Sequence, residues 1–236
     1  MISKYFKQTF RFLIALFLIM LQMACEKDGL YKNPTTISFS INMDTTGIGP
    51  SDDLLLSNGR LILSEFSISG QRPMAENFEF IRSFDTGISI NLDSNNYVSE
   101  LEFDLPQGEY SAINLSFKSF VDTNSISILG NYSYCNPSKP SSIVQFDHRD
   151  LQEFNLNLID SNNTKLMLLN EGDAQKIQIS LDPKFWFKEV PVPLLNNANF
   201  DLIDGNQVIR INESSNLEIY NIVNAAIGGN LSFQIE

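Results

Sequence analysis

The chain has 236 residues, of which 28 are acidic and 16 are lysine or arginine, so its formal net charge at pH 7 is −12. This acidity, together with the lack of any cluster of basic residues, excludes a protein that binds nucleic acid through phosphate contacts. One histidine and two cysteines exclude multi-histidine metal centres and a framework of several disulfides.

The first 24 residues have the composition of a secretion signal. Three basic residues, Lys4, Lys7 and Arg11, precede ten uninterrupted apolar residues from Phe12 to Leu21. That run is too short for the roughly 20 residues that cross a bilayer as a helix. We therefore interpret residues 1–24 as a cleaved signal peptide. Its removal takes away three basic and no acidic residues, which changes the formal charge from −12 to −15.

The end of this segment, Ala24-Cys25, resembles the lipobox of bacterial lipoproteins. The resemblance implies that Cys25 receives lipid on its sulfur and becomes the new N-terminus. Gln22 stands where the family usually has leucine, and Leu21 lies one position earlier. The alternative is cleavage by ordinary signal peptidase, which requires small residues at the last and third-last positions of the signal, and Gln22 fits that requirement poorly.

The residues after Cys25 bear on which membrane holds the protein. Lipoproteins with an aspartate directly after the cysteine are often retained in the inner membrane, whereas this chain has Glu26 there. The acidic "EKD" at 26–28 is similar to short export tags of some outer-membrane lipoproteins. We therefore expect a protein anchored in the outer membrane of a Gram-negative bacterium by its N-terminal lipid, facing the periplasm or the cell surface, with residues 25–34 as a short tether. Two or more acyl chains hold a protein stably at a membrane.

Alternation of apolar and polar residues dominates the rest of the chain. Ile37, Phe39, Ile41 and Met43 alternate with polar residues, which is typical of a half-buried strand. The same period of two recurs at 88–92, 101–105, 113–117 and 154–158.

Breaks in the alternation predict where strands bend or end. In "RLILSEFSISG" the phase slips between Leu63 and Phe66, which predicts a β-bulge. Turn-forming residues separate the alternating segments at 57–59, 93–96, 106–108, 160–163 and 204–206. We predict a mainly β fold, an antiparallel β-sandwich with a short C-terminal helix, over residues 35–236. The one candidate boundary inside that domain is the Pro/Ser-rich stretch 136–142.

The stretch "FDLPQGEYSAINLSF" resembles the "LPxGxY" hairpin of transthyretin-like β-sandwich modules, and the chain is similar in order to a group of bacterial lipoproteins that join a lipobox to such a module. We expect Pro106 to end a strand because it lacks a backbone donor, and Gly108 to permit positive φ. Tyr110 is expected to pack its ring while its hydroxyl group finds a partner at the corner. The resemblance implies the fold and no particular function.

Two helical signals lie near the C-terminus. Asp182-Pro183 is a favourable N-cap and first-turn pair for a short helical turn that would bury Trp186, the only tryptophan. Ser214 or Ser215 is expected to cap a second helix, whose apolar residues recur at intervals of three and four until Gly228-Gly229.

The polar residues with catalytic potential do not form a pattern. His148, the only histidine, lies beside Asp147, Arg149 and Asp150, and we interpret it as a surface or strand-end residue. It leaves no histidine-paired nucleophile, and the sequence spacing does not show two carboxylates converging. Cys135 is the only thiol left once Cys25 carries lipid, so we expect an inert side chain; the alternative is a bridge to a second molecule. We therefore predict a protein that is not an enzyme and has no cofactor.

One segment matches part of a calcium-binding loop. Asn91, Asp93, Asn95 and Glu102 occupy positions one, three, five and twelve of an EF-hand-type pattern. Asn96 replaces the required glycine, and the flanks are predicted strands instead of helices. An Asn-rich hairpin turn explains the same residues, so this is a weak calcium candidate and no metal is predicted.

The sequence as a whole indicates a lipid-anchored cell-envelope lipoprotein that acts as a non-catalytic structural or binding module. One alternative is a surface glycan-binding protein, because asparagine and serine side chains can bind carbohydrate hydroxyls. Trp186, which lies between Phe185 and Phe187, is expected in the core and not as an exposed stacking platform. The other alternative is an adhesin or assembly subunit that adds strands to an envelope protein partner.

Overall fold

The structure is a computed structural model, and it describes residues 34–46, 49–51, 53–93, 98–121, 123–134, 138–158, 167–169 and 175–235. The strands in chain order are β1 (Thr35–Met43), β2 (Leu54–Gln71), β3 (Phe78–Asn91), β4 (Glu102–Leu105), β5 (Gly108–Tyr110), β6 (Ala112–Ser119), β7 (Ile126–Tyr132), β8 (Ser142–His148), β9 (Glu153–Leu158), β10 (Met167–Leu169), β11 (Gln175–Leu181), β12 (Asp201–Ile203), β13 (Asn206–Ile211) and β14 (Ser232–Ile235). The helices are α1 (Pro183–Trp186), α2 (Val192–Asn196) and α3 (Leu217–Asn224), and a 3-10 turn covers Ser99–Leu101.

The protein is mainly β and sandwich-like, as predicted, with a short helix near the C-terminus. In the described part of the chain, the smaller sheet has the order β14-β11-β1-β4 and the larger sheet runs β12-β13-β8-β7-β2-β6-β9, with β3 paired to β2. Strands β5 and β10 form a separate pair. Most neighbours are antiparallel, but β1 pairs with β11 and β8 with β13 in parallel. Periodicity does not encode strand direction, and both parallel pairs join segments far apart in the chain.

Strand β2 organises the larger sheet. Its residues Arg60 and Leu61 pair with both β3 and β7, and its residues Glu65 to Gly70 pair with both β3 and β6. Because a strand has two edges, β6 and β7 must lie end to end along the edge opposite β3. The register of β2 shifts between Leu63 and Glu65, which confirms the predicted bulge.

A line of phenylalanine rings joins the two sheets. Phe39 of the smaller sheet lies 5.1 Å from Phe66 of the larger one, measured between ring centroids, and Phe103 lies 5.5 Å from Phe66. The line continues within the larger sheet through Phe117 to Phe154. All five rings are buried, and burial of a large apolar side chain stabilises a fold by roughly 1.5–3 kcal/mol.

The "LPxGxY" segment is not a hairpin, which corrects the prediction. β4 pairs with β1 in the smaller sheet, whereas β6 pairs with β2 and β9 in the larger sheet, so residues 106–111 carry the chain from one sheet to the other. The local expectations are confirmed. Pro106 follows the end of β4, Gly108 has φ +136°, and the buried Tyr110 donates a hydrogen bond to the Pro106 carbonyl oxygen.

The C-terminal helices agree in part with the prediction. The Asp182 carboxylate accepts a hydrogen bond from the Phe185 backbone N–H at 3.0 Å, and Trp186 is buried. The cap of α3 is Asn216 and not Ser214 or Ser215. Asn216 has φ +51° and donates through its side-chain amide to the backbone carbonyls of Asn199 and Arg210, an arrangement that depends on distant parts of the chain. Helix α2 was not predicted.

Several predictions concern residues outside the described ranges. They concern the signal peptide 1–24, the lipid site Cys25, the calcium candidate Asn95 and the thiol of Cys135. The tether also lies outside these ranges, except for its last residue, Pro34. Within the described ranges, no helix is long and apolar enough to span a membrane. Strands β7 and β8, on either side of the candidate boundary 136–142, pair with each other and contribute to one hydrophobic core.

Candidate functional site

The outer face of the larger sheet carries a row of polar side chains. Directly opposed residues of neighbouring strands point to the same face of a sheet. Arg60 of β2 is opposed by Asn91 of β3 on one side and by Ser127 of β7 on the other, and Ser127 is opposed by Asp147 of β8. The alternate residues of these strands, such as Leu61, are buried, so this row faces outward.

A second row lies beside the first. Asn58 of β2 is opposed by Leu129, Leu129 by Gln145, and Gln145 by Arg210 of β13. Gln145 donates through Nε2 to the Asp147 carboxylate at 2.7 Å, which joins the two rows. We call the surface formed by these two rows the polar face.

Two depressions mark the polar face. One has a volume of about 260 Å³ and is lined by Asn58, Gly59, Arg60, Asn91, Asp93, Ser127 and Leu129. The other has a volume of about 240 Å³ and is lined by Asn124, Asp147, Arg149, Asn212, Glu213 and Ser214. The Arg60 guanidinium donates to the Asn124 backbone carbonyl at 3.4 Å, so the depressions are neighbours on one surface.

Asp147 is the most buried charge of this surface. The residue is 7% exposed, and its carboxylate accepts hydrogen bonds from the Ser127 hydroxyl group at 2.8 Å and from Gln145. Arg149 donates through Nε to the Asn124 side-chain oxygen at 2.8 Å. These bonds hold a carboxylate, a guanidinium and an amide in fixed positions around one depression. Such a mixture of donors and acceptors suits an uncharged, hydroxyl-rich ligand better than a strongly ionic one.

His148 lies under this surface and not in the depression. It is the last residue of β8, as the strand-end interpretation expected, but it is 1% exposed and so is not a surface residue. Its Nδ1 lies 3.1 Å from the Tyr220 hydroxyl oxygen, and that hydroxyl donates to Glu213 at 3.4 Å. Nε2 is buried and has no hydrogen-bond partner among the described residues.

Burial sets the protonation of this pair. Removal from water lowers the pKa of His148, although the carboxylates of Asp150 and Glu213 oppose the shift. Burial also raises the pKa of Tyr220 to about 12, with Glu213 and Asp150 acting in the same direction. A neutral imidazole that donates from Nδ1 to the Tyr220 oxygen leaves the tyrosine proton free to reach Glu213. The pair therefore stabilises the packing of α3 against β8.

The residues of the weak calcium candidate do not all meet. Asn91 and Asp93 line the same depression. Glu102 begins β4 in the other sheet, where its carboxylate accepts a hydrogen bond from the Ser38 hydroxyl group at 3.2 Å. No group of three histidine, cysteine or acidic side chains with the arrangement of a metal site occurs among the described residues.

Sequence reasoning missed most of the polar face. It noted Asp147 and Arg149 only as neighbours of His148, and it did not single out Arg60, Asn124 or Asn212. Alternation along β2 indicates that Arg60 points away from the core, because Leu61 points into it. The sequence carries no signal that β3 and β7 lie on either side of Arg60, or that β8 lies next to β7.

Comparisons with known proteins add no family assignment: no protein-family model, no curated protein and no solved structure matches this chain. The fold defines the class to which the protein belongs, a mainly β, sandwich-like protein.

Proposed function

We propose that this chain is a lipid-anchored lipoprotein of the bacterial outer membrane whose sandwich acts as a non-catalytic binding module, with the polar face as its binding surface. The anchor is supported by Cys25, which directly follows Ala24 and lies four residues after the end of the apolar run Phe12–Leu21. The binding role is supported by one observation above all, the pair of adjoining depressions around Arg60 and Asp147. A non-catalytic role is consistent with the position of His148, which is buried under Tyr220.

Metabolic labelling with a clickable fatty acid tests the anchor. The two cysteines provide a matched pair of variants, because only Cys25 is proposed to carry lipid. Cys25→Ala is expected to abolish labelling and release the protein from membranes, whereas Cys135→Ser is expected to label as the wild type does. Equal labelling of Cys25→Ala and wild type would contradict the anchor.

Carbohydrate is the ligand class that the polar face fits best. Apart from Leu129, its side chains are amides, guanidinium groups, a hydroxyl group and a carboxylate, which together can both donate to and accept from sugar hydroxyls. Trp186, the only tryptophan, is buried and donates to the Gly229 backbone carbonyl, so recognition on this face would rest on hydrogen bonds.

A glycan array tests this ligand class. Arg60→Ala is expected to weaken binding, while Lys188→Ala removes the same charge away from the polar face and is expected to leave binding unchanged. An array on which the wild type and Arg60→Ala give the same signals would contradict a glycan site on this face.

Strand addition to a partner is the second candidate, because β3 forms a long edge. Ten of its 14 residues are opposed by residues of β2, no other strand in the described part of the chain pairs with it, and its large apolar side chains Phe80 and Ile81 are exposed. Unprotected edges of this kind can accept a further strand. Ile81→Lys is expected to abolish assembly measured by light scattering or co-purification, whereas Leu202→Lys, at another exposed apolar residue, is not. Assembly that survives Ile81→Lys would exclude the β3 edge.

A further inference from the structure

The point at which the tether enters the sandwich is defined by β1. The first residue of that strand is Thr35, and nine residues, 26–34, separate it from the proposed lipid site Cys25, a distance of ten residue steps. Ten residues span at most about 35 Å when fully extended. The end of the sandwich that carries Thr35 therefore lies within about 35 Å of the lipid surface.

The β2–β3 hairpin lies at this same end. Thr35 is opposed by Leu105 in the smaller sheet, and the chain then turns through Gln107. The Arg72 guanidinium at the start of the hairpin loop donates to the Gln107 backbone carbonyl at 3.3 Å. The Ser111 backbone N–H likewise donates to the Gln71 carbonyl at 2.9 Å. These bonds tie the hairpin to the corner beside the entry of the tether.

The tip of this hairpin, residues 73–75, is apolar and exposed, and it lies between Arg72 and the exposed Glu76. Met74 is 93% exposed, more than any other large apolar residue of the described chain. Phe80 follows on β3, partly exposed, with its ring 5.3 Å from that of Phe78, which in turn packs against Tyr110. The aromatic rings of the hairpin thus pack together behind the loop, which presents the flexible thioether side chain of Met74 to its surroundings.

We infer that this end of the sandwich rests on the membrane, with Met74 of the hairpin loop inserted among the lipid headgroups. The inference rests on the proposed acylation of Cys25, which supplies the anchoring energy. An acidic body is repelled by an anionic lipid surface, so an apolar side chain is the compatible kind of contact. Insertion of one methionine adds little affinity compared with acyl chains, and its effect is to orient the protein.

The orientation has a consequence for the polar face. Arg60 lies eleven residues before Gln71 along β2, a distance of at most about 36 Å at 3.3 Å per residue, because the bulge after Leu63 bends the strand. The polar face is therefore held away from the lipid and remains open to ligands from the aqueous side.

Site-directed fluorescence tests the orientation in the full acylated protein. Met74→Cys and Leu55→Cys are each made in a Cys135→Ser background, so that the introduced thiol is the only reactive one when Cys25 carries lipid. Leu55 is an exposed residue at the opposite end of β2 and serves as the matched control. Both proteins are labelled with an environment-sensitive dye and placed in vesicles of phosphatidylethanolamine and phosphatidylglycerol that contain a lipid-bound quencher.

The expected result is a blue shift and quenching of the dye at position 74, with neither at position 55. Acylated protein with position 74 as water-exposed as position 55 would overturn the orientation and leave the anchor intact. Equal quenching at both positions would overturn it as well, because the sandwich would then lie flat. Mass spectrometry that finds no lipid on Cys25 would overturn the anchor, and the orientation with it.

Discussion

The hydroxyl group of Tyr110 donates a hydrogen bond to the backbone carbonyl oxygen of Pro106, four residues earlier in the chain. This bond closes the corner through which the chain passes from the smaller to the larger sheet. The ring of Tyr110 also meets Phe78 edge to face, with centroids 5.6 Å apart. Tyr110 therefore connects the corner to the β2–β3 hairpin.

Two variants of Tyr110 should separate the contribution of its hydroxyl group to stability from that of its ring. Tyr110→Phe keeps the ring contact and is expected to lower the free energy of unfolding by about 1 kcal/mol, the net value of a typical hydrogen bond. Tyr110→Ala also removes the ring and is expected to cost about 3–5 kcal/mol. Urea denaturation measures both, and a Phe variant as stable as the wild type would show that the bond contributes nothing.

Gly130 should not tolerate a side chain. A Cβ atom at this position of β7 would lie 2.4 Å from the Leu55 carbonyl oxygen and 2.9 Å from the Leu56 Cα, and backbone atoms of β2 cannot move aside easily. We expect Gly130→Ala to lower the free energy of unfolding by about 2 kcal/mol or more. Gly49→Ala is the control, because its nearest neighbours would lie at 3.7 Å; equal effects of the two substitutions would refute the packing argument.

His148 should make stability depend on pH. Its pKa is lowered in the folded protein by burial, so below the usual histidine pKa of about 6.5 the unfolded chain binds a proton that the folded protein does not. Stability is then lost as the pH falls from about 6.5 toward the folded pKa, at a rate of at most about 1.4 kcal/mol per pH unit.

Comparison with His148→Gln isolates this effect, because His148 is the only histidine and the carboxylates titrate in both proteins. The measurement is the free energy of unfolding in urea at a series of pH values from 7 to 5. As the pH falls between those values, the wild type should lose more of its free energy of unfolding than the variant does. A difference in the free energy of unfolding that does not change with pH would contradict a lowered pKa of His148 in the folded protein.

Asp182 should stabilise the fold through both of its carboxylate oxygens. Oδ1 caps α1 by accepting from the Phe185 N–H, and Oδ2 accepts from the Asn230 side chain at 2.6 Å. Asp182→Ala removes both bonds and is expected to destabilise the fold by about 1–3 kcal/mol. Asp182→Asn retains an acceptor for the cap and is expected to cost less in a thermal unfolding experiment. If both variants lost the same stability, the hydrogen bond that caps α1 would not be the source of the destabilisation.

Several local signals in the sequence predicted local structure correctly, but the turn-forming residues 57–59 do not separate two strands. They lie inside β2, where the register shifts between Leu56 and Asn58. The alternation around Phe39 and Phe66 placed their side chains in the core, and the phase slip after Leu63 marked the bulge. Asp182-Pro183 marked the start of α1, because an N-cap depends on the bond that a side chain makes within its own turn. The prediction of a hairpin through Pro106 was wrong, since the partners of β4 and β6 lie elsewhere in the chain.

The sequence alone determined that this protein is built mainly from strands, which side chains point inward in the strands that it identified, and where β2 bends and β4 ends, because period, turn chemistry and caps act over a few residues. Tertiary structure alone decided which strands are neighbours and in which direction they pair. It therefore also decided that Arg60, Ser127 and Asp147 form one row, that Asn216 caps α3, and that the β2–β3 hairpin lies beside the corner at Gln107. Each of these contacts joins residues far apart in the chain, and the pairing that creates them depends on how whole faces of the two sheets pack, which no short stretch of sequence records.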